Sequence, residues 1–308
     1  MSESLEKGFS PENEPPEPSI RLEFFRHDEK DKPTTAGPRI GDEFVRLTQK
    51  GREHSTEVGK TKNPEPEVGL AYGSSRERST EAALRQLLAE ETEIGSNDSL
   101  EDIQRKISEQ LTVGKKNIVS ENLNFNWDGS QEFHDVAYDH YLRTKDALVF
   151  ILEESDALVR KIGDEKSTSY SRAAARIAEL VEKYIEIFPQ WEKITAKDPE
   201  KYAQHQNEMQ RFMGSHQDAL EPFLLKIIDM TNGRAAVEAF IDSLPDKNGF
   251  GFGEGFSVRI VRDAAGEPLA HISFKGQEWT VDAKVIKNII QDGRALDEEI
   301  RAGATERE

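Results

Sequence analysis

A histidine and an arginine stand next to each other at the end of the first apolar segment of this chain. Residues 22–25 form that short apolar run, and Arg26 and His27 follow it directly. A strand that ends in this dipeptide delivers an imidazole and a guanidinium together to the edge of a sheet. The imidazole can attack phosphorus, while the guanidinium can neutralise phosphoryl oxygens. These residue types therefore predict phosphoryl chemistry.

A second strand-like segment passes directly into a helical pattern. Residues 68–75 predict a strand, and residues 76–88 have the spacing of an amphipathic helix. Ser74, Arg76 and Arg78 are expected at this strand-to-helix junction, where backbone N–H groups are free to bind an anion. The junction is therefore a second candidate anion-binding edge.

A third junction carries a second histidine. His216 follows residues 212–215 and precedes an apolar helical pattern over residues 219–228. We expect folding to bring both imidazoles and at least two guanidiniums around one space of the size of an oxyanion.

Four short motifs occur in a fixed order along the chain. They are Arg-His-x-Glu at 26–29, Leu-Thr-x-x-Gly-Arg at 47–52, a serine-to-alanine segment with a central arginine at 74–83, and Ser-His at 215–216. In this order they resemble the histidine phosphatase superfamily, which includes phosphoglycerate mutase-like and acid phosphatase-like enzymes. The resemblance covers about residues 20–130 and 207–232.

The resemblance implies a two-step phosphoryl transfer without a metal or other cofactor. His27 would attack the substrate phosphorus and form a phosphohistidine, which water then hydrolyses. His216 would help to stabilise the charge that spreads over the equatorial oxygens. Arg26 and Arg78 are expected to bind the phosphate. Ser74 is expected either to donate to the phosphate or to shape the turn. Arg76 stands where the family usually carries an apolar residue, so it is expected either to contact the phosphate or to lie at the surface.

The family also uses a carboxylic acid as proton donor, commonly in a segment of the type Glu-x-x-x-Gly-x-x-x-Gly. Residues 121–129 align with it by their Trp-Asp-Gly end, although Phe125 stands where the first glycine is expected. Glu121 is therefore the candidate donor. Asp128 and Asp218 are alternatives, the latter where the acid phosphatase branch carries its acid.

The composition narrows the range of possible binding partners. The chain has 308 residues, of which 41 are basic and 59 are acidic, so its formal net charge is −18. This balance argues against nucleic acid or an anionic membrane as the main partner, and a small phosphorylated substrate is expected instead. The absence of cysteine excludes disulfides and cysteine-ligated metals. Without a recognisable export signal or a long apolar run, we expect a soluble cytoplasmic protein. The oligomeric state stays open.

The resemblance implies an α/β protein. We expect a three-layer α/β/α fold with a mostly parallel central sheet, in a single domain over residues 20–300. Residues 1–19 are expected to form an acidic, proline-rich disordered tail, and residues 301–308 a flexible tail. A helix is also expected at about 99–111. A helical insertion is expected at about 133–203. The resemblance implies that it caps the phosphate pocket, and the alternative is that its helices only pack against the rest of the domain without contacting substrate.

The C-terminal part predicts a β-hairpin and a helix. Residues 257–262 and 269–274 read as paired strands, 277–281 as a third strand, and 282–291 as an amphipathic helix. The glycine-rich segment 248–256 precedes a strand, whereas a dinucleotide-binding loop must follow one, so no nucleotide cofactor is expected.

The sequence thus favours a metal-independent phosphatase for a small phosphoester or a phosphorylated metabolite. A phosphoglycerate mutase-like phosphoryl transfer is the nearest alternative. A catalytically weak module that binds a phosphorylated partner is the alternative from a different class.

Overall fold

The central feature of the computed structural model is a mixed β-sheet. The structure describes residues 16–31, 42–89, 102, 119–244 and 247–305. Within them the strands are β1 (Ser19–Arg26), β2 (Gly69–Tyr72), β3 (Glu208–Ser215), β4 (Gly255–Arg262), β5 (Pro268–Phe274) and β6 (Gln277–Asp282). They lie in the order β2-β3-β1-β4-β5-β6.

One half of the sheet is parallel and the other half is antiparallel. The strands β2, β3 and β1 run parallel to one another, while β4, β5 and β6 join by antiparallel pairing. Four of the six strands, including β5, therefore point in the same direction. The predicted α/β fold and C-terminal hairpin are confirmed, and the hairpin with its third strand makes the sheet mixed.

Helices cover both faces of the sheet. In the described residues they are α1 (Gln49–Thr61), α2 (Glu77–Leu87), α3 (Gln131–Asp139), α4 (Ala147–Glu153), α5 (Ser155–Ile162), α6 (Tyr170–Lys197), α7 (Pro199–Ala203), α8 (Glu221–Asn232), α9 (Arg234–Ser243) and α10 (Ala283–Thr305). Successive side chains of a strand point to opposite faces. Accordingly, Phe25 packs in a small core with α2, whereas Phe24 joins the main core beneath α6 and α8. The result is a three-layer arrangement.

The region predicted as a helical insertion is helical from α3 to α7. Its longest helix, α6, packs against α8 and α10 and contacts β1, β4 and β5. Most of its apolar face is buried in the main core. The helix predicted at 99–111 lies outside the described residues, apart from the single residue Asp102.

Two predicted boundaries differ from the structure. Ser19, expected in the N-terminal tail, is fully buried in β1, where its hydroxyl lies 3.3 Å from Glu208 Oε2. The last helix, expected to end near residue 291, continues to Thr305, because Leu296 and Ile300 extend its buried apolar face. Residues 301–305 are therefore helical, whereas a flexible tail was expected for 301–308.

No helix of the described residues combines the length and the apolar character needed to cross a bilayer.

Candidate active site

The predicted histidines lie at the carboxyl ends of two neighbouring parallel strands. Arg26 pairs with Ser215 in the register of β1 and β3, so His27 and His216 leave the sheet at the same level. Ligands of open α/β sheets bind at this edge. The ring centroids of the two histidines are 5.1 Å apart, and the rings meet edge to face at 72°. Both side chains are buried.

The hydrogen bonds of His27 fix its neutral tautomer. Its Nδ1 lies 2.7 Å from the carbonyl oxygen of Asp28. A carbonyl oxygen can only accept, so Nδ1 carries the proton and Nε2 keeps its lone pair. Arg78 Nε donates to that Nε2 over 3.1 Å. The Nε2 lone pair of His27 therefore accepts from a guanidinium in this structure, and that hydrogen bond must open before Nε2 can attack phosphorus.

The electrostatic environment keeps both imidazoles neutral. Burial, with the positive charge of Arg78 acting in the same direction, lowers the pKa of His27 to about 3. Burial also holds the pKa of His216 well below its ordinary value, and His27 and Arg76 add to this effect. A neutral His27 can attack without first losing a proton.

The segment after His27 is anchored to α1. The side chain of Asp28 is buried, with one carboxylate oxygen 2.5 Å from His54 Nδ1 and the other accepting from the hydroxyl of Ser55. Gly51 allows the close approach, because a Cβ there would lie 2.4 Å from the carbonyl oxygen of Glu29. These contacts fix the backbone carbonyl that sets the tautomer of His27.

The motif at residues 47–52 ties α1 to α2. Thr48 caps α1 by accepting from the N–H of Gly51 over 3.0 Å. Arg52 Nε lies 2.9 Å from the fully buried carboxylate of Glu81 on α2. Arg46 and Arg85 pair with the same carboxylate. This motif therefore supports the site indirectly, because it holds α1 against α2 through packing and ion pairs.

The junction between β2 and α2 differs from the prediction in one respect. The backbone N–H of Ser74 donates to Ser79 Oγ, that of Ser75 to Asn124 Oδ1, and that of Arg76 to Ser74 Oγ, over 3.0, 2.7 and 3.1 Å. For these three residues the expectation of free N–H groups was wrong, because small polar side chains cap them. Ser74 Oγ also lies 2.7 Å from His216 Nε2. An anion at this junction therefore meets side chains in place of these three N–H groups.

Three cations converge on Asp42, a residue that the sequence did not single out. Its carboxylate lies 2.9 Å from Arg78 Nη2, 3.0 Å from Arg76 Nε and 3.0 Å from Lys30 Nζ. Arg78 Nη1 also donates to the backbone carbonyl of Asp42 over 2.7 Å. Partial burial opposes ionisation, but the hydrogen bonds from Arg78 and Lys30 prevail and hold the pKa of Asp42 well below its usual range. We call Lys30, Arg76 and Arg78 the cation cradle.

Arg26 turns towards the glycine-rich segment. Its Nη1 donates to the carbonyl oxygen of Phe250 over 2.5 Å, and its guanidinium lies 4.5 Å from the ring centroid of Phe252. The backbone N–H of Phe250 in turn donates to the buried carboxyl of Glu221 over 2.7 Å. Burial raises the pKa of Glu221. Arg26 therefore lies beside His27 in the chain but is held by this loop, outside the cradle.

The three candidate proton donors occupy different environments. Glu121 is exposed and accepts from the side-chain amide of Asn124, which itself binds the backbone N–H of Ser75 at the junction. Asp128 is exposed and lies 3.7 Å from His134 on α3. Asp218 is buried in the turn after His216. Of the three, Glu121 is both exposed to solvent and linked to the junction between β2 and α2 through Asn124.

A group of possible metal ligands lies at the opposite edge of the sheet. Glu65, Glu67 and His205 bring one ligand atom each within 4.8 Å of one another. They precede β2 and β3, whereas the histidines of the site follow strands. His205 Nδ1 already bonds Glu65 over 3.0 Å, and its Nε2 lies 3.2 Å from Gln204. These contacts hold the ring of His205 between Glu65 and Gln204.

No protein-family model matches the chain, and a search of curated proteins finds no significant match. Among solved structures, phosphoglycerate mutase from Bacillus anthracis str. Sterne is 17% identical over 90% of this chain and 98% of its own, with a TM-score of 0.38. A mycobacterial glucosyl-3-phosphoglycerate phosphatase is 16% identical over 81% of this chain and 93% of its own, with a TM-score of 0.34. Likenesses of this size carry no argument about chemistry, which rests on the geometry of the site itself.

Proposed function

We propose that this protein is a histidine phosphatase-type hydrolase that removes the phosphoryl group from a small phosphoester or phosphorylated metabolite. The observation that carries the proposal is the neutral His27, whose unprotonated Nε2 accepts a hydrogen bond from Arg78 while His216 stands 5.1 Å away, ring centroid to ring centroid. The four sequence motifs support membership of the histidine phosphatase superfamily. No metal or other cofactor is part of the proposed reaction.

In the first step, the Nε2 lone pair of His27 attacks the substrate phosphorus. An N–P bond forms while the bond from phosphorus to the leaving oxygen breaks, and that oxygen takes a proton from a carboxylic acid. In the second step, water attacks the phosphohistidine, gives its proton to the carboxylate and breaks the N–P bond. Inorganic phosphate leaves, and His27 is neutral again.

The cation cradle and the neighbouring polar groups would stabilise the transition state. Charge develops on the equatorial oxygens, and fixed donors in a partly buried site act on it without reorganising. Arg78 is the best placed of these because it is buried and lies beside Nε2 of His27, so its Nε–H can pass from that Nε2 to a phosphoryl oxygen as the lone pair turns to phosphorus. Arg76, Ser74 and His216 lie around it, and we propose that each contacts the phosphoryl group. Arg26 would act from the glycine-rich side.

We propose Glu121 as the proton donor and acceptor. Its carboxylate is exposed at the rim, where a leaving group can depart into solvent, and Asn124 links it to the junction. Asp128 lies against His134 on α3 and thus contacts the helical region. Asp218 is buried and remains the alternative, because it lies two residues after His216.

A second candidate function is a binding module that keeps the anion site without turnover. The observation that favours it is the carboxylate of Asp42, which occupies the cation cradle. This module would dock a phosphorylated partner of small size. In both proposals the partner is a small phosphorylated group, since the cation cradle is a local positive site in a chain of net charge −18.

Hydrolysis of an aryl phosphate, followed with and without a chelator, separates the two functions. The enzyme is expected to release phosphate equally well in both conditions, and His27→Ala is expected to abolish turnover. A matched control is His271→Ala, which removes a surface histidine of β5. Saturable binding of inorganic phosphate without any turnover would instead favour the module.

A further inference from the structure

The carboxylate of Asp42 sits where the proposed function needs an anion. Its two oxygens share three cations, one of which, Arg78, also touches the proposed nucleophile His27. The backbone N–H of Arg76 donates to Ser74 Oγ, which in turn contacts His216. An exposed aspartate of a surface turn does not need three cations for its own sake, because isolated surface ion pairs contribute little to stability. The carboxylate of Asp42 is therefore placed as the charge partner of the cation cradle.

We propose that Asp42 is the resident counter-ion of the phosphate site: it occupies the cation cradle in the free protein, leaves when a phosphoryl group binds and returns when inorganic phosphate departs. The inference rests on the proposed function and adds a role in product release.

The exposure of the groups is consistent with such an exchange. The side chain of Asp42 is 46% exposed and that of Lys30 is 41% exposed, whereas the side chain of Arg78 is only 4% exposed. The carboxylate therefore lies on the solvent side of a buried guanidinium. A phosphoryl group entering from solvent meets Asp42 first and can replace its side-chain oxygens on the cradle. The bond from Arg78 Nη1 to the backbone carbonyl of Asp42 need not break.

The charges explain why the exchange would matter for turnover. Asp42 and a phosphate dianion need the same N–H groups of the three cations, so only one of them can occupy the cradle at a time. The three cations keep a net charge of plus two with Asp42 in place and of plus one with the dianion in its place. Without a returning carboxylate, departure of the product would leave three mutually repelling cations beside His27. The free energy of that empty state would slow release, so product would inhibit strongly. An internal carboxylate has a high effective concentration and refills the cradle at once.

The internal anion competes equally with substrate and with product. Removing Asp42 is therefore expected to strengthen the binding of substrate and product equally. Such uniform binding lowers KM and the inhibition constant of phosphate together without raising kcat. A residue that merely held the arginines in place would do the opposite, since its removal would weaken anion binding. A residue that donated the proton would lower kcat most for substrates with poor leaving groups.

The test compares wild type, Asp42→Asn and the control Glu43→Gln, which makes the same charge change one residue away on the same exposed turn. Titration calorimetry with inorganic phosphate measures binding without turnover, and steady-state kinetics with an aryl phosphate give KM and kcat. For Asp42→Asn we expect the dissociation constant of phosphate and KM to fall together by roughly tenfold, as three partly exposed ion pairs no longer have to break. For Glu43→Gln we expect both to stay as in wild type.

An unchanged or raised KM in Asp42→Asn, with wild-type turnover intact, would overturn the resident counter-ion and leave the phosphatase standing. A loss of kcat at unchanged phosphate affinity would also overturn it. If wild type neither turns over aryl phosphate nor binds phosphate, the proposed function itself fails. Asp42→Ser is a second variant, and thermal unfolding establishes that each variant is folded.

Discussion

Acidification is expected to destabilise the protein through its two buried imidazoles. The pKa of His27 is lowered by burial and then by Arg78 to about 3, from an ordinary value of 6.5. Between these values the unfolded chain binds a proton that the folded chain does not bind. The free energy of unfolding therefore rises with pH across this window and falls on acidification.

The size of the effect follows from the linkage relation. One proton difference changes the free energy of unfolding by about 1.4 kcal/mol per pH unit once the pH is well below 6.5. From about pH 7 to about pH 5, His27 alone is expected to remove about 2 kcal/mol. The pKa of His216 is lowered in the same direction, so its contribution adds to this loss.

Urea denaturation at the two pH values measures this loss. The substitution His27→Gln is expected to reduce the difference in unfolding free energy between the two pH values by about 2 kcal/mol, because the titrating group is gone. The control His271→Gln keeps both buried imidazoles and is expected to retain the pH dependence of wild type. If His27→Gln lost as much stability on acidification as wild type does, the described environment of His27 would be incorrect.

Three further predictions concern single residues. Arg78→Ala is expected to lower kcat/KM for an aryl phosphate by a factor of about 100 to 1000, the usual effect of removing one preorganised donor, and a value within threefold of wild type would contradict its role. Glu121→Gln is expected to lower kcat more for an alkyl phosphate than for an aryl phosphate, whose better leaving group needs less protonation, and equal effects on both substrates would favour Asp218 as the donor. Gly214→Ala is expected to lower the free energy of unfolding by about 1 to 3 kcal/mol in urea denaturation, because the new Cβ would lie 2.1 Å from the carbonyl oxygen of Ser79. If the variant were as stable as wild type, α2 would have to be able to move away from β3.

The placement of the histidines could be predicted from sequence because it depends on local rules. A short apolar run predicts a buried strand, and residues that end parallel strands meet at one edge of the sheet. The order of Arg26-His27 and Ser215-His216 after such runs was therefore enough to expect the two rings together. The helical region and the C-terminal hairpin followed from periodicity in the same way.

The electrostatics of the site could not be predicted in the same way. Asp42 carries no motif, and its partners Arg76 and Arg78 come from another part of the chain, so only the tertiary fold brings them together. The backbone N–H groups of the junction were expected to be free, but the side chains that cap them include Asn124, far away in sequence. Such long-range polar contacts leave no periodic signal.

The most direct test of the central claim is to trap the phosphorylated protein. Wild type mixed with phosphorus-32-labelled substrate and quenched within one turnover is expected to carry label that is stable in base and released in acid, as a phosphohistidine is. Peptide mapping is expected to place the label on His27, and His27→Ala is expected to take up none. Turnover by wild type without any labelled protein, or label in the His27→Ala variant, would contradict a covalent intermediate at His27.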